Sequence, residues 1–146
     1  MILDAQNQFA DSQALTASAA STNIIDLGAD RNIGIGEPMS IVINVEVALD
    51  DGNADETYTI QAQADDNSSF SSALPVGGLV TATRGDAAGT QYVIPLPADY
   101  ATEQYLRVYF TLGGTTPTGT VSAYLQPSSM IANSEFGGYA SGYTIS

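Results

Sequence analysis

Hydrophobic residues recur at every second position through much of the chain. Ile41, Ile43, Val45 and Val47 alternate with Val42, Asn44 and Glu46, and Tyr58, Ile60, Ala62 and Ala64 alternate with Thr57, Thr59, Gln61 and Gln63. Between positions 104 and 112, Leu106, Val108, Phe110 and Leu112 share one face, with Tyr105, Arg107 and Tyr109 on the other. Val121, Ala123 and Leu125 repeat the pattern within Thr120–Gln126. A period of two sends successive side chains to opposite faces, so each stretch predicts a half-buried β-strand. Shorter stretches at Gln13–Ala17, Thr22–Leu27, Leu79–Thr83 and Gln91–Leu96 predict four more.

Turn chemistry separates these runs. Asp50-Asp51-Gly52-Asn53, Gly77-Gly78, Gly113-Gly114 and Thr116-Pro117 are strong breakers, and 84–89 reads as a loop. Helix is expected only as short turns, around Ala98–Gln104 or Asp66–Ser72. About eight strands without a long helix predict an all-β fold, a jelly-roll-like antiparallel β-sandwich. Residues 1–12 lack a strand period yet carry Ile2, Leu3 and Phe9. Residues 127–146 set Tyr139, Tyr143 and Ile145 among Gly and Ser. The expected organisation is an arm at 1–12, a sandwich over 13–126 and a second arm at 127–146.

Composition narrows the function. The chain has 146 residues, a size for one domain, and 44% of them are hydrophobic, enough for a packed core despite the charge. It contains no Lys, His, Cys or Trp, and Arg31, Arg84 and Arg107 stand against 16 carboxylates, for a net charge of −13. Without His, Lys or Cys, the usual tunable proton carriers and the thiolate nucleophile are missing, so a non-enzymatic role is expected. No cofactor is expected. A surface this acidic predicts no binding to nucleic acid or to anionic membranes. The first residues carry no basic region followed by an apolar one, so no signal peptide is expected, and no apolar run reaches the length of a bilayer span.

The remaining constellations have simpler readings. The run from Asp50 to Glu56 invites a calcium site, but Glu56 stands where the EF-hand pattern needs Gly, and Ala62 stands at its distal Glu position. A charged hairpin turn is the stronger expectation, and no metal site is expected. Asp65-Asp66-Asn67 is read the same way. A two-carboxylate hydrolase would have only Glu46 and Glu103 to use, and nothing in the sequence brings them together. Gly34-Ile35-Gly36 lacks the third glycine and the helix of a phosphate loop. Arg84-Gly85-Asp86 matches an integrin-recognised tripeptide, which three loop residues often do by chance. Tyr105, Arg107 and Tyr109 form a row of the kind enriched at protein interfaces, and are the candidate oligomer face. Coverage of that row by its own domain is the competing expectation.

Taken together, Met1–Ala14, Ser21–Gly28, Asp30–Pro38, Gln104–Gly113 and the terminal Gly142-Tyr-Thr-Ile-Ser146 resemble the small capsid cement (decoration) proteins of tailed bacteriophages, over essentially the whole chain and in the same order. The resemblance implies a jelly-roll accessory protein, located on the virion, that binds the outer head surface as a homo-oligomer, commonly a dimer. It implies the major capsid protein as partner and carries over no catalytic residue. On this reading Ile2, Leu3, Phe9, Tyr139, Tyr143 and Ile145 are the candidate capsid contacts. The rival expectation is a carbohydrate-binding module, since jelly rolls often present tyrosine platforms to glycans.

Overall fold

The computed structural model describes residues 4–33, 35–50, 52–97 and 103–131. Among these, the strands are β1 (Gln8–Ala14), β2 (Ala19–Ala20), β3 (Ile25–Asp26), β4 (Met39–Val47), β5 (Thr57–Asp65), β6 (Leu74–Ala82), β7 (Gln91–Leu96), β8 (Tyr105–Gly113) and β9 (Thr120–Pro127). They form two antiparallel sheets. The first has the order β1-β9-β4-β7, and the second β2-β8-β5-β6 with β3 also on β8.

The pair β2 and β3 behaves as one interrupted strand. Ala20 opposes Tyr109 and Ile25 opposes Leu106, so five steps on one side span three on the other, an insertion of two. Ser21 bridges the gap: its N–H donates to the Val108 carbonyl at 2.7 Å, and its hydroxyl accepts from the Val108 N–H at 3.1 Å. Counting that pair as one strand gives two four-stranded sheets linked by the interleaved crossings of a jelly roll. The core lies between them, built from Phe9, Leu15, Ile41, Ile43, Tyr58, Ile60, Leu106, Val108, Phe110 and Val121 among others, all nearly inaccessible.

Three expectations about local structure are corrected. β1 begins at Gln8, inside the stretch expected to be an arm, and Phe9 is fully buried in the core rather than offered to a capsid. The strand is hard to read because its register slips twice against β9 and Ser12 sits at φ +49°, so Phe9 and Ala10 are buried in succession. Gly77-Gly78 does not end a strand. It forms a bulge within β6, where Ile60 and Ala62 oppose Val80 and Val76. A Cβ on Gly77 would meet the Pro95 carbonyl oxygen at 2.8 Å, so the bulge brings β6 hard against β7. The 66–73 segment makes turns rather than a helix. The other expected helical turn falls largely on residues 98–102, outside the described residues.

That β6–β7 approach closes one flank of the sandwich. Gln13 closes the other: its side chain donates to the Ala20 carbonyl at 3.0 Å and accepts from the Thr22 N–H at 2.9 Å. The Asn23 N–H adds a bond to the Phe9 carbonyl at 2.9 Å. Edge strands therefore face each other across the sandwich instead of standing open to a foreign strand.

Candidate interaction surface

The outer face of the second sheet follows from the period of two. Because Tyr58, Ile60, Ala62 and Ala64 point inward, Thr59, Gln61 and Gln63 point out; the same alternation on β8 exposes Tyr105, Arg107, Tyr109 and Thr111. Register then sets Gln61 opposite Tyr109, Gln63 opposite Arg107 and Asp65 opposite Tyr105. The structure thus places the three expected oligomer-face residues side by side on one sheet face, each of them half-buried.

Arg107 is ordered there by its own domain. Its Nε donates to Gln63 Oε1 at 2.8 Å, and its guanidinium lies 4.2 Å from the Phe70 ring centre and 5.3 Å from that of Tyr109. Partial burial lowers its pKa, offset by the charges of Tyr109 and Asp65. Phe70 reaches the row from the turn after β5 and is itself 7% exposed, at φ +51°. The competing expectation, coverage by the same domain, therefore holds in part for Arg107. Gln63 was legible from strand parity. Phe70 was not, since nothing local shows that a turn folds back over the sheet.

At the end of the same face, Asp65 and Asp66 meet. The Asp65 carboxyl feels desolvation, but the backbone N–H groups of Ser72 at 2.8 Å and Asn67 at 3.0 Å outweigh it and hold its pKa low. Asp66 is pushed up, first by sharing a hydrogen bond with Asp65, then by burial and by the charges of Asp65 and Asp30. These two carboxylates and Glu103 line a cavity of about 240 Å³ with Ser72 and Leu74. Glu46 lies elsewhere, on the outer face of the first sheet, where the Ser12 hydroxyl donates to its Oε2 at 2.6 Å and the Ser122 hydroxyl to its Oε1. Glu46 is the penultimate residue of β4, next to the β4–β5 loop, and Glu103 just precedes β8, at the opposite end, so the fold does not join this pair.

Other singled-out segments are tied into the scaffold. Asp55 accepts from the Thr115 N–H at 3.1 Å and hydroxyl at 2.7 Å, and Asn53 Nδ2 donates to the Thr116 hydroxyl at 3.0 Å, which fastens the acidic loop to the β8–β9 connection. Among the described residues no group of three acidic side chains is placed to hold a metal ion. In 84–86, Asp86 turns inward, accepting from the Thr83 N–H at 3.1 Å and from the Tyr92 hydroxyl, whose pKa is raised by burial and by that carboxylate. Arg84 turns toward Asp50 and Glu56. The tripeptide is not displayed as a free ligand. Of the expected capsid contacts, Ile2, Leu3, Tyr139, Tyr143 and Ile145 lie outside the described residues.

A family model described as Bbp16 matches residues 9–125. No curated protein matches the chain.

Proposed function

The chain belongs to the Bbp16 family, and we propose, on the resemblance of its sequence to cement proteins, that it is a capsid cement protein, binding the outer surface of a tailed-phage head and linking neighbouring major capsid protein subunits. The observation that carries the reading is a closed jelly roll with a pre-ordered aromatic–arginine row on an exterior face. A cement must resist outward strain by linking neighbours, and many copies on one shell gain from multivalency. Virion location and the major capsid protein as partner belong to the same proposal, as does the absence of enzymatic activity.

Self-association is assigned to the second sheet's outer face. The net charge of −13 makes contact between copies costly wherever carboxylates meet. The middle of this face carries Thr59, Gln61, Gln63, Arg107, Tyr109 and Thr111, with no acid among them. Two copies meeting there across a two-fold axis would pair rings and amides at the least electrostatic cost. A carbohydrate-binding role would use the same rings. Arg107, stacked on Phe70 and lying over Tyr109, already occupies a face of the Tyr109 ring on which a sugar would stack, which favours a protein partner.

The test is co-sedimentation of the purified protein with heads of the phage that encodes it. Saturable binding is expected, with loss of binding for a chain shortened to residues 4–131, because Ile2, Leu3, Tyr139, Tyr143 and Ile145 are then removed. Full binding by that fragment would remove the arms from the proposal. No binding by the intact chain, together with micromolar glycan binding on an array, would replace the proposal with the sugar-binding one.

A further inference from the structure

The β4–β5 loop and the 83–90 loop meet at one end of the sandwich in a rigid frame. The Gly85 N–H donates to the Leu49 carbonyl at 2.8 Å, the Leu49 N–H to the Asp86 carbonyl at 3.1 Å, and the Thr118 hydroxyl to the Asp50 carbonyl at 2.9 Å. Inside this frame the Glu56 side chain has 0% exposure, and among the described residues neither of its carboxylate oxygens has a hydrogen-bond partner. Strand parity explains why: Glu56 precedes Thr57 on the inward-pointing row that continues as Tyr58 and Ile60. Its nearest described cation is Arg84, whose Nε is 3.9 Å from Oε2.

Arg84 is divided between two acids. Its Nη1 lies 3.6 Å from Asp50 Oδ1, also beyond hydrogen-bonding reach, and Arg84 and Asp50 are 40% and 36% exposed. One guanidinium thus stands between two carboxylates and fully satisfies neither. A buried carboxylate without a donor is costly, so the arrangement gains if Arg84 closes onto Glu56. Asp50 is the competing carboxylate at the rim.

We propose that the Asp50–Arg84–Glu56 corner is a docking socket for a basic side chain of a partner protein. An incoming Arg or Lys pairs with Asp50 at the rim, and Arg84, released from Asp50, moves inward and donates hydrogen bonds to Glu56. The partner contact and the internal one form together, so Glu56 supports binding without touching the partner. Asp50 is the contact residue, and Arg84 and Glu56 are positioning residues. The inference deepens the cement reading and rests on it only for which protein supplies the basic group.

The full chain has three arginines, so their side-chain N–H resonances are readily assigned. Titration with a tri-arginine peptide at low salt should shift and protect the Arg84 Nε–H in a saturable manner, leaving Arg31 and Arg107 unmoved. Asp50→Asn should abolish that response, and Glu56→Gln should weaken it several-fold while the thermal transition of each variant shows an intact fold. Equal shifts at all three arginines, or a response indifferent to Asp50→Asn, would overturn the socket. On phage heads, Asp50→Asn should lower affinity at least tenfold. If the variant binds heads like the unaltered chain, the socket falls and the cement reading stands. If the unaltered chain ignores heads but Arg84 responds to the peptide, the cement reading falls and the socket stands.

Discussion

Phe70 shows how far one residue departs from what its neighbours in sequence suggest. It occupies the left-handed region at φ +51°, unfavourable for a side chain, yet its ring is buried under Arg107. The ring contact offsets the backbone cost. Phe70→Ala loses the contact and keeps the strain, an expected loss of about 2–3 kcal/mol. Phe70→Gly loses the same contact but relieves the backbone, so it should be the more stable of the two by about 1 kcal/mol. Urea unfolding of both variants checks the order, and a more stable alanine variant would refute the compensation.

Glu46 and Asp66 titrate in opposite senses. Glu46 is held low by the hydroxyls of Ser12 and Ser122, in that order. A lowered pKa means the folded state favours the ionised form, so this stabilisation is complete above the ordinary 4.5 and disappears as pH falls through the lowered value. Glu46→Gln should therefore be less stable than the unaltered chain at pH 7 and nearly equal to it at pH 2. Asp66, raised by Asp65, binds its proton more tightly when folded, so its contribution is lost as pH rises through the raised value. Asp66→Asn keeps the bond to Asp65 and removes the repulsion, so it should gain stability at pH 7 and gain nothing in acid. Denaturant midpoints at the two pH values decide both.

At the scale of elements, legibility followed regularity. β4, β5, β7, β8 and β9 were readable to within a residue or two because an unbroken period of two marks a strand with one face in the core. β1, the β2–β3 pair and β6 were misread in extent, and each contains an insertion that breaks the period: Ser12, Ser21–Ile24 and Gly77-Gly78. Bulges convert a strand signal into a loop signal while leaving the hydrogen-bonded ladder in place. The candidate face was legible in its Tyr-Arg-Tyr row, which needs only parity. Its ordering by Phe70 and Gln63, and the Arg84 corner, depend on contacts between distant segments that no local pattern encodes.

The same distinction sets the N-terminal boundary. The 3-10 turn at Ala5–Asn7 buries none of its residues, whereas Phe9 is a fully enclosed member of the core. A chain lacking residues 1–7 should melt within about 3 °C of the intact one, a change worth about 1 kcal/mol or less. Removing residues 1–11 also deletes Phe9 and half of β1, at a cost of about 3–5 kcal/mol from the ring alone. That is a large share of the roughly 5–15 kcal/mol that holds a domain together. Calorimetry of the two truncations separates arm from strand, and equal melting temperatures would return Phe9 to the arm.

For the whole molecule, charge acts on folding and on docking in opposite directions. Sixteen carboxylates against three arginines make the folded chain repel itself, since folding concentrates the charge. Salt shortens the screening length to about 8–10 Å near physiological strength, so it relieves this repulsion and stabilises the fold. A partner that supplies basic side chains is attracted by the same field, and there screening weakens the encounter. Raising NaCl from about 0.05 to 0.5 M should lift the melting temperature by about 2–5 °C while reducing head affinity by about tenfold or more. Binding carried by apolar arm contacts alone would instead hold or strengthen with salt. The sign of the salt effect on binding, measured beside the melting temperature on one preparation, therefore separates an electrostatic clamp from a hydrophobic one.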